Sequence, residues 1–293
     1  MLTHHTDHPV KPQRVVVIGA GGFVGGAIAD RLAALDVPVV RVGRAQADLL
    51  APDAADRLAA LLAPGDSVVA ASAIAPCKNR AMLQDNIVLA NAILDALGRV
   101  ALAHVVNISS DAVYGDLPLP LSEASAAAPG SLHGVMHLAR ELMFASTLTV
   151  PVAMLRPTLV YGARDPHNGY GPNQFRRKAQ AGEDIVLFGE GEERRDHVYI
   201  DDVAELAVRM LFRRSSGSLN AATGQVHSFR EAAEMVVAQT GATIAIKGSP
   251  RKGPMPHNGY RPFDPAATFS AFPDFRYRTL AEGLAETLAR DGG

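Results

Sequence analysis

Cysteine is nearly missing from this chain of 293 residues, and tryptophan does not occur. The single cysteine, Cys77, excludes a disulfide framework within the chain and is typical of a reducing compartment, so we expect a cytoplasmic protein. No apolar run approaches the roughly 20 residues that span a bilayer, and the first dozen residues lack the apolar centre of a secretory signal. The net charge of -2 has its signs interspersed, which argues against a nucleic-acid surface. We therefore expect neither a membrane nor a nucleic acid among its partners.

Apolar residues make up 48% of the chain, enough for the core of one large domain or of two closely joined ones. In the first half, short apolar strands alternate with helical stretches, which predicts a parallel sheet with helices on both faces. Strands are predicted at 37–42, 67–72, 105–108 and 151–155, and helices at 85–97 and 132–146. Beyond Tyr161, loop-rich sequence predicts a smaller lobe. The expected organisation is a flexible tail (1–12), a dinucleotide-binding domain (13–165) and a mainly substrate-binding lobe (166–293), with residues near 197–222 returning to the first domain.

A glycine-rich stretch, VVVIGAGGFVGG, occupies residues 15–26. Its β-branched residues predict a buried strand, and the Ala/Leu-rich run after it predicts a helix. Between them lie Gly19, Gly22 and Gly25, at a spacing of three. Glycine allows a tight turn and a close approach of the backbone to a pyrophosphate, and the helix start offers free N–H groups to phosphates. The stretch therefore predicts a bound dinucleotide, with a glycine-rich structural turn as the simpler alternative.

Other motifs follow in a fixed order along nearly the whole chain. They are NISSDAVYG (107–115), LRPTLVYG (155–162), GPNQF (171–175), RRDHVYIDDVA (194–204) and TLAEGLAETL (279–288). Together with the GxxGxxG stretch, they resemble the extended short-chain dehydrogenase/reductase family, whose members largely modify nucleotide-linked sugars. The resemblance implies an α/β fold, with a doubly wound parallel (Rossmann) sheet and a smaller C-terminal substrate-binding lobe. It also implies a nucleotide-sugar substrate, and it leaves a homodimer open.

The second strand bears on the choice of cofactor. In relatives that use NAD, this strand ends in an acid that binds the adenine ribose, whereas Gly43 stands there in this chain and Arg44 follows. An arginine can hold a 2′-phosphate through paired, charged hydrogen bonds, so NADP is favoured over NAD. Asp48 resembles part of an adenine contact, or it caps the next helix. The predicted cofactor-binding residues are Gly19, Gly22, Phe23, Val24, Gly25, Arg44, Asp48, Leu49, Ala71 and Pro157.

The catalytic motif departs from the family pattern. Relatives carry Tyr-x-x-x-Lys, and alignment through Glu141 places His133 and His137 at those two positions. Imidazole exchanges protons near neutral pH, so His133 can take the role of the tyrosine, with His137 supporting it at the ribose. Two alternatives stay open: a divalent metal bound by His133, His137 and Glu141, and a chain that binds NAD(P) without catalysis, as a sensor. We predict an enzyme and no metal site.

The strand before that helix supplies two further candidate catalytic residues. The resemblance assigns Ser110 to the substrate oxygen, although a serine at a strand end can also bond its own backbone. Asp111 is similar to the acid of sugar-nucleotide dehydratases, but Ala112 replaces the glutamate that works beside it. Without that pair, reduction or epimerisation is favoured over dehydration.

The substrate-binding residues come from the second half of the chain. Arg195 and, more loosely, Arg251 match arginines that grip the nucleotide pyrophosphate, and Asn173 matches a substrate-contacting asparagine. Leu159 replaces an asparagine of many epimerases, which weakens a plain epimerase assignment.

Overall fold

The computed structural model describes residues 2–117 and 119–291. The strands are β1 (Val15–Ile18), β2 (Val39–Val42), β3 (Ser67–Ala70), β4 (His104–Ile108), β5 (Val152–Pro157), β6 (Leu159–Tyr161), β7 (Ile185–Phe188), β8 (Arg194–Tyr199), β9 (Gly217–Ala221), β10 (Val226–Ser228), β11 (Ile246–Ser249) and β12 (Tyr260–Arg261). The helices are α1 (Phe23–Ala34), α2 (Ala54–Ala59), α3 (Arg80–Leu97), α4 (Leu132–Thr147), α5 (Pro172–Gln180), α6 (Ile200–Phe212), α7 (Phe229–Thr240), α8 (Ala266–Ala271) and α9 (Leu280–Asp291).

A six-stranded parallel sheet with the order β2-β1-β3-β4-β5-β9 forms the centre of the fold. Alternate residues of β1 serve two separate cores, because successive side chains of a strand point to opposite faces. Val15 and Val17 pack with α1 and α6, whereas Val16 and Ile18 pack with α3. The doubly wound Rossmann-type sheet predicted from the strand–helix alternation is confirmed.

The smaller lobe forms around strand β8. This strand pairs with β6, β10 and β12, while β7 pairs with β11. Phe175 of α5 and Phe229 of α7 share one buried cluster with Leu284 of α9. Strand β9 lies in the central sheet, and α6 contributes to the core beneath that sheet. The stretch from the start of α6 to β9 thus returns from the lobe to the first domain.

The N-terminal segment, for which the sequence predicts a flexible tail, makes specific contacts with the sheet edge. The Thr3 amide donates to the Ser216 carbonyl at 2.8 Å, and the Ser216 amide donates back to Thr3 at 2.8 Å. His4 Nδ1 lies 2.8 Å from Ser215 Oγ, and His4 Nε2 lies 3.1 Å from the Ala271 carbonyl. Backbone pairing and the half-buried His4 therefore hold this segment beside the start of β9.

The start of α3 differs from its predicted position, whereas α4 begins at Leu132 as predicted. Helix α3 begins at Arg80 rather than at 85, because Asn79 caps it by accepting a hydrogen bond from the Met82 amide at 3.0 Å. Across residues 2–117 and 119–291, no helix has the length and apolar character needed to cross a membrane.

Candidate active site

The turn between β1 and α1 is built for close backbone contact. Gly19 has φ +91°, and a Cβ there would lie 2.7 Å from the Ser72 amide nitrogen of the neighbouring strand. A Cβ at Gly25 would collide with the Gly19 carbonyl. Gly22 stands at the start of α1, and its amide donates to the Gly19 carbonyl at 3.0 Å. The three glycines keep the helix start close to the strand end, as a phosphate cradle requires.

A cavity of about 390 Å³, here called the β2 cavity, opens between the glycine turn and the end of β2. Gly43, Arg44, Asp48, Leu49 and Ala71 line it. The Arg44 side chain is exposed, and it forms no ion pair with any residue that the structure describes. Asp48 accepts a hydrogen bond from the Leu50 amide at 3.1 Å, and α2 begins only at Ala54. The alternative that Asp48 caps this helix is therefore wrong, because its carboxylate closes the turn before it.

A second cavity of about 390 Å³, the α4 cavity, lies on the other side of the same turn. It shares Gly22, Ala71 and Ala73 with the β2 cavity, so the two form one groove across the carboxyl ends of the parallel strands. Ligands of open α/β sheets bind at this edge. The predicted site residues that line the α4 cavity are Gly22, Phe23, Val24, Gly25, Ala71, Ser110, His133, His137, Pro157 and Asn173.

The start of α4 fixes the position of His133. Ser131 caps this helix by accepting a hydrogen bond from the Gly134 amide at 3.2 Å. A Cβ at Gly134 would collide with the Ala112 carbonyl, so the absence of a side chain lets α4 approach the short 3-10 helix 111–113. The amide of Cys77 donates to His133 Nδ1 at 3.4 Å. The His133 ring is thereby held at the α4 cavity together with Ser110.

Both imidazoles of α4 are neutral at pH 7. Burial lowers the pKa of His133, although the Asp111 charge opposes this shift. Burial also moves the pKa of His137 well below its usual value, and the nearby His133 and Arg140 lower it further. The two rings meet edge to face, with centroids 4.7 Å apart. Within the described ranges, His137 Nδ1 has no hydrogen-bond partner.

The fixed positive charge beside these histidines belongs to Arg140, which sequence analysis missed. Its guanidinium is buried, and it donates to Asn107 Oδ1 at 2.6 Å, to the Ala70 carbonyl at 3.0 Å and to the Ser72 carbonyl. Burial lowers the pKa of Arg140 to about 10, so it stays charged at neutral pH. Arg140 thus joins the ends of β3 and β4 beneath the groove.

The Ser110 hydroxyl donates a hydrogen bond to Asp111 Oδ1 at 3.3 Å, but of the two residues only Ser110 lines the α4 cavity. Ser110 Oγ also accepts a hydrogen bond from the Ala112 amide at 3.1 Å, which is the backbone bond expected of a serine at a strand end, and its assignment to a substrate oxygen stays a prediction. The Asp111 carboxylate lies 3.1 Å from Nε of Arg261, which is itself buried. The structure does not place Asp111 among the residues that line the α4 cavity, because Arg261 binds it on another side.

A metal site on α4 does not fit the structure. Glu141 is buried and accepts a hydrogen bond from Nε of Arg156 at 2.8 Å, so its carboxylate is committed to an ion pair. Over residues 2–117 and 119–291, no group of three or more His, Cys, Asp or Glu side chains has a metal-binding arrangement.

The predicted substrate-binding residues occupy two places. Asn173 lines the α4 cavity, where its Oδ1 accepts from the Gly162 amide at 3.0 Å and its Nδ2 donates to Asp165 at 2.9 Å. Arg195 and Arg251 do not line this cavity. They lie in the lobe beside it, where both form an ion pair with the same carboxylate. The structure brings the two arginines together through Glu193.

His197, which sequence analysis also missed, lines the α4 cavity. It lies on β8, packs edge to face on Phe229 and is 3% exposed. Neither ring nitrogen has a hydrogen-bond partner in the described part of the chain. Burial, with smaller contributions from Arg195 and His227, lowers the pKa of His197 to about 3.

We expect His197→Phe to make the protein more resistant to acid. An unfolded histidine takes up a proton near pH 6.5, whereas folded His197 does so only near pH 3. Stability that depends on neutral His197 is therefore lost as the pH falls from about 6.5 towards 3. The difference in the free energy of unfolding, variant minus wild type, should increase by about 1.4 kcal/mol for each pH unit below about 6. Urea unfolding of both proteins at pH 7, 6, 5 and 4.5 measures this; a constant difference would contradict it.

A third groove, of about 840 Å³, lies on the outer side of α1. Charged side chains of α1, α6 and the segment 274–278 line much of it, and most of its arginines pair with its own acids, as Arg31 does with Glu205. Among the predicted site residues, only Gly22 and Phe23 reach it. The groove formed by the β2 and α4 cavities is therefore the better candidate for the active site.

The fold and this groove define a doubly wound α/β protein of the Rossmann type. The model of the NAD dependent epimerase/dehydratase family matches residues 15–222, and the chain belongs to this family. The family predicted from the motifs is thereby confirmed. The UDP-glucose 4-epimerase of Mycolicibacterium smegmatis is 29% identical over 267 residues, covering 78% of this chain and 83% of that protein. The dTDP-4-dehydro-6-deoxy-D-allose reductase of Streptomyces bikiniensis is 30% identical over 142 residues, covering 46% of this chain and 42% of that protein.

Solved structures show the same fold. The UDP-glucose 4-epimerase of Thermus thermophilus, in complex with NAD, has a TM-score of 0.81 at 23% identity and covers 96% of this chain and 99% of its own. A GDP-L-fucose synthetase of Naegleria fowleri bound to NADP has a TM-score of 0.79 at 17% identity and covers 97% and 95%.

Proposed function

We propose that this protein is an NADP-dependent oxidoreductase or epimerase acting on a nucleotide-activated sugar, with His133 as its proton-exchanging group. The observation that carries the proposal is that His133 and Ser110 line one cavity, which opens onto the glycine turn. The relatives include an epimerase of a UDP-sugar and a reductase of a dTDP-sugar, which supports both reaction types. A cytoplasmic site of action, inferred from the single cysteine, is part of the proposal.

The groove fits a dinucleotide. Gly19, Gly22 and Gly25 would hold the pyrophosphate, Arg44 the 2′-phosphate, and Leu49 the adenine, because all of them border the groove. The bound dinucleotide would supply the acceptor or donor of a hydride. The chain itself must bind the sugar, bring its reacting oxygen to Ser110 and His133, and exchange one proton there.

His133 is suited to that exchange because its ring is neutral at pH 7. In the oxidising direction, Nε2 takes the proton of a sugar hydroxyl while the Ser110 hydroxyl hydrogen-bonds the same oxygen; in the reducing direction, the protonated ring returns it. A free Nε2 requires the neutral form with its hydrogen on Nδ1, which gives up the hydrogen bond from the Cys77 amide. At 3.4 Å that hydrogen bond is long, so losing it costs little.

A nucleoside diphosphate should stabilise the folded protein if the substrate is a nucleotide sugar. We expect at least one of UDP, GDP, dTDP and their sugars to raise the melting temperature in the presence of NADP. At a ligand concentration of 100 times Kd, the gain is about 2.7 kcal/mol. Arg195→Ala should remove most of the shift. Arg194→Ala is the matched control, because this exposed neighbour packs over the Tyr260 ring. If no member of the panel shifts the wild type, the proposed substrate class is wrong.

A further inference from the structure

The two arginines assigned to the pyrophosphate share one buried carboxylate. Glu193 precedes β8 and is 5% exposed. Its Oε1 lies 3.2 Å from Nη1 of Arg195, and its Oε2 lies 3.7 Å from Nη1 of Arg251. Both arginine side chains are themselves largely buried, at 11% and 17% exposure. A single anion thus neutralises part of a site that carries two permanent cations.

The neighbouring carboxylate is different in character. Glu192 also approaches Arg251, at 3.7 Å, but its side chain is 47% exposed. Solvent screens such a charge, whereas a buried charge acts at nearly full strength. Arg251 is further held by its hydrogen bond to the Phe188 carbonyl at 3.1 Å, while its Nε has no partner within the described residues. Glu193 is therefore the carboxylate that dominates the charge of the arginine pair.

We infer that Glu193 is a built-in counter-ion of Arg195 and Arg251, which competes with the diphosphate of the substrate and so sets its affinity. The inference rests on the proposed function, because that function supplies the diphosphate. Carboxylate and phosphate oxygens bind the same donor fork of a guanidinium. An incoming diphosphate must displace Glu193 or bind beside it, and like charges placed next to each other oppose binding. Without Glu193, both arginines are free for the ligand and lack a nearby counter-charge.

The test is calorimetric titration of the wild type, Glu193→Gln and Glu192→Gln with UDP, dTDP and GDP, in the presence of NADP. Glu193→Gln keeps the shape of the side chain and removes its charge, so it should bind the preferred diphosphate at least about fivefold more tightly. Glu192→Gln, the matched control, should stay within about twofold. Glu193→Asp serves as a second variant, because its shorter carboxylate withdraws from Arg251 and should also tighten binding, by a smaller factor.

The outcomes separate this inference from the proposed function. If a diphosphate binds the wild type and binds Glu193→Gln equally or more weakly, the counter-ion role is wrong and the substrate class stands. Should Glu193→Gln fail to fold, as judged by thermal unfolding, unchanged or weaker binding by Glu193→Asp overturns the inference in the same way. If none of the three diphosphates binds the wild type or the variants, both proposals fall.

Discussion

Replacing His133 by alanine is expected to lower turnover by roughly 10²–10⁴-fold and to leave dinucleotide affinity nearly unchanged. The groups proposed to hold the phosphates and the adenine, which are the glycine turn, Arg44 and Leu49, are unchanged in this variant, so the loss of the ring should affect proton exchange far more than dinucleotide binding. Because burial lowers the pKa of His133, activity in the direction in which it acts as a base should persist below pH 6.5 before it falls. Steady-state kinetics against pH, together with calorimetric titration of NADP, measures both effects.

Two variants distinguish proton exchange from packing. His133→Gln can still accept the hydrogen bond from the Cys77 amide but cannot carry a proton, so it should be as inactive as His133→Ala. The double variant His133→Tyr, His137→Lys restores the family pair and tests whether the rest of the site is competent. A wild type that is active and tolerates His133→Ala would refute the assigned role. A wild type that is inert with its identified substrate would favour the sensor interpretation.

Arg44→Ala should weaken NADP binding by roughly ten- to a hundredfold, the loss of about 1.5–3 kcal/mol that a charged hydrogen bond provides. NAD binding should change little, because NAD has no 2′-phosphate for Arg44 to hold. The matched control is Arg41→Ala, an exposed arginine of β2, three residues before Arg44, that pairs with Asp30 and does not line the β2 cavity. Tighter binding of NAD than of NADP by the wild type would reject the preference.

The central sheet and the glycine turn could be predicted from the sequence because their signals are local. Four consecutive buried residues, Val15–Ile18, identify a strand covered on both faces, and the glycine spacing follows from contacts within one turn. The resemblance supplied the position of His133 through Glu141. The resemblance also drew attention to Arg195 and, more loosely, to Arg251, although nothing local indicated that they meet at Glu193.

The remainder depended on partners distant in the sequence. Asp111 looked like a free acid beside the active site, but Arg261, 150 residues further on, binds it. Arg140 looked like an ordinary helix residue, because only the fold brings it to the carbonyls of Ala70 and Ser72. Glu193 belongs to a run of charged residues (192–196), and such a run predicts an exposed surface segment. Burial and charge pairing between residues distant in the sequence cannot be predicted from local sequence, and in this protein they determine the electrostatics of the site.

The N-terminal segment also affects how measurements of the oligomeric state of this protein should be interpreted. It pairs with Ser216, immediately before β9 at the end of the six-stranded sheet, and its amides also bond the carbonyls of Phe212 and Arg213. An open sheet edge is a template for strand addition between molecules. A chain begun after this segment would offer that template. Dimers or aggregates of such a shortened chain would then result from the unprotected sheet edge. The oligomeric state should therefore be measured on a chain that keeps residues 2–10.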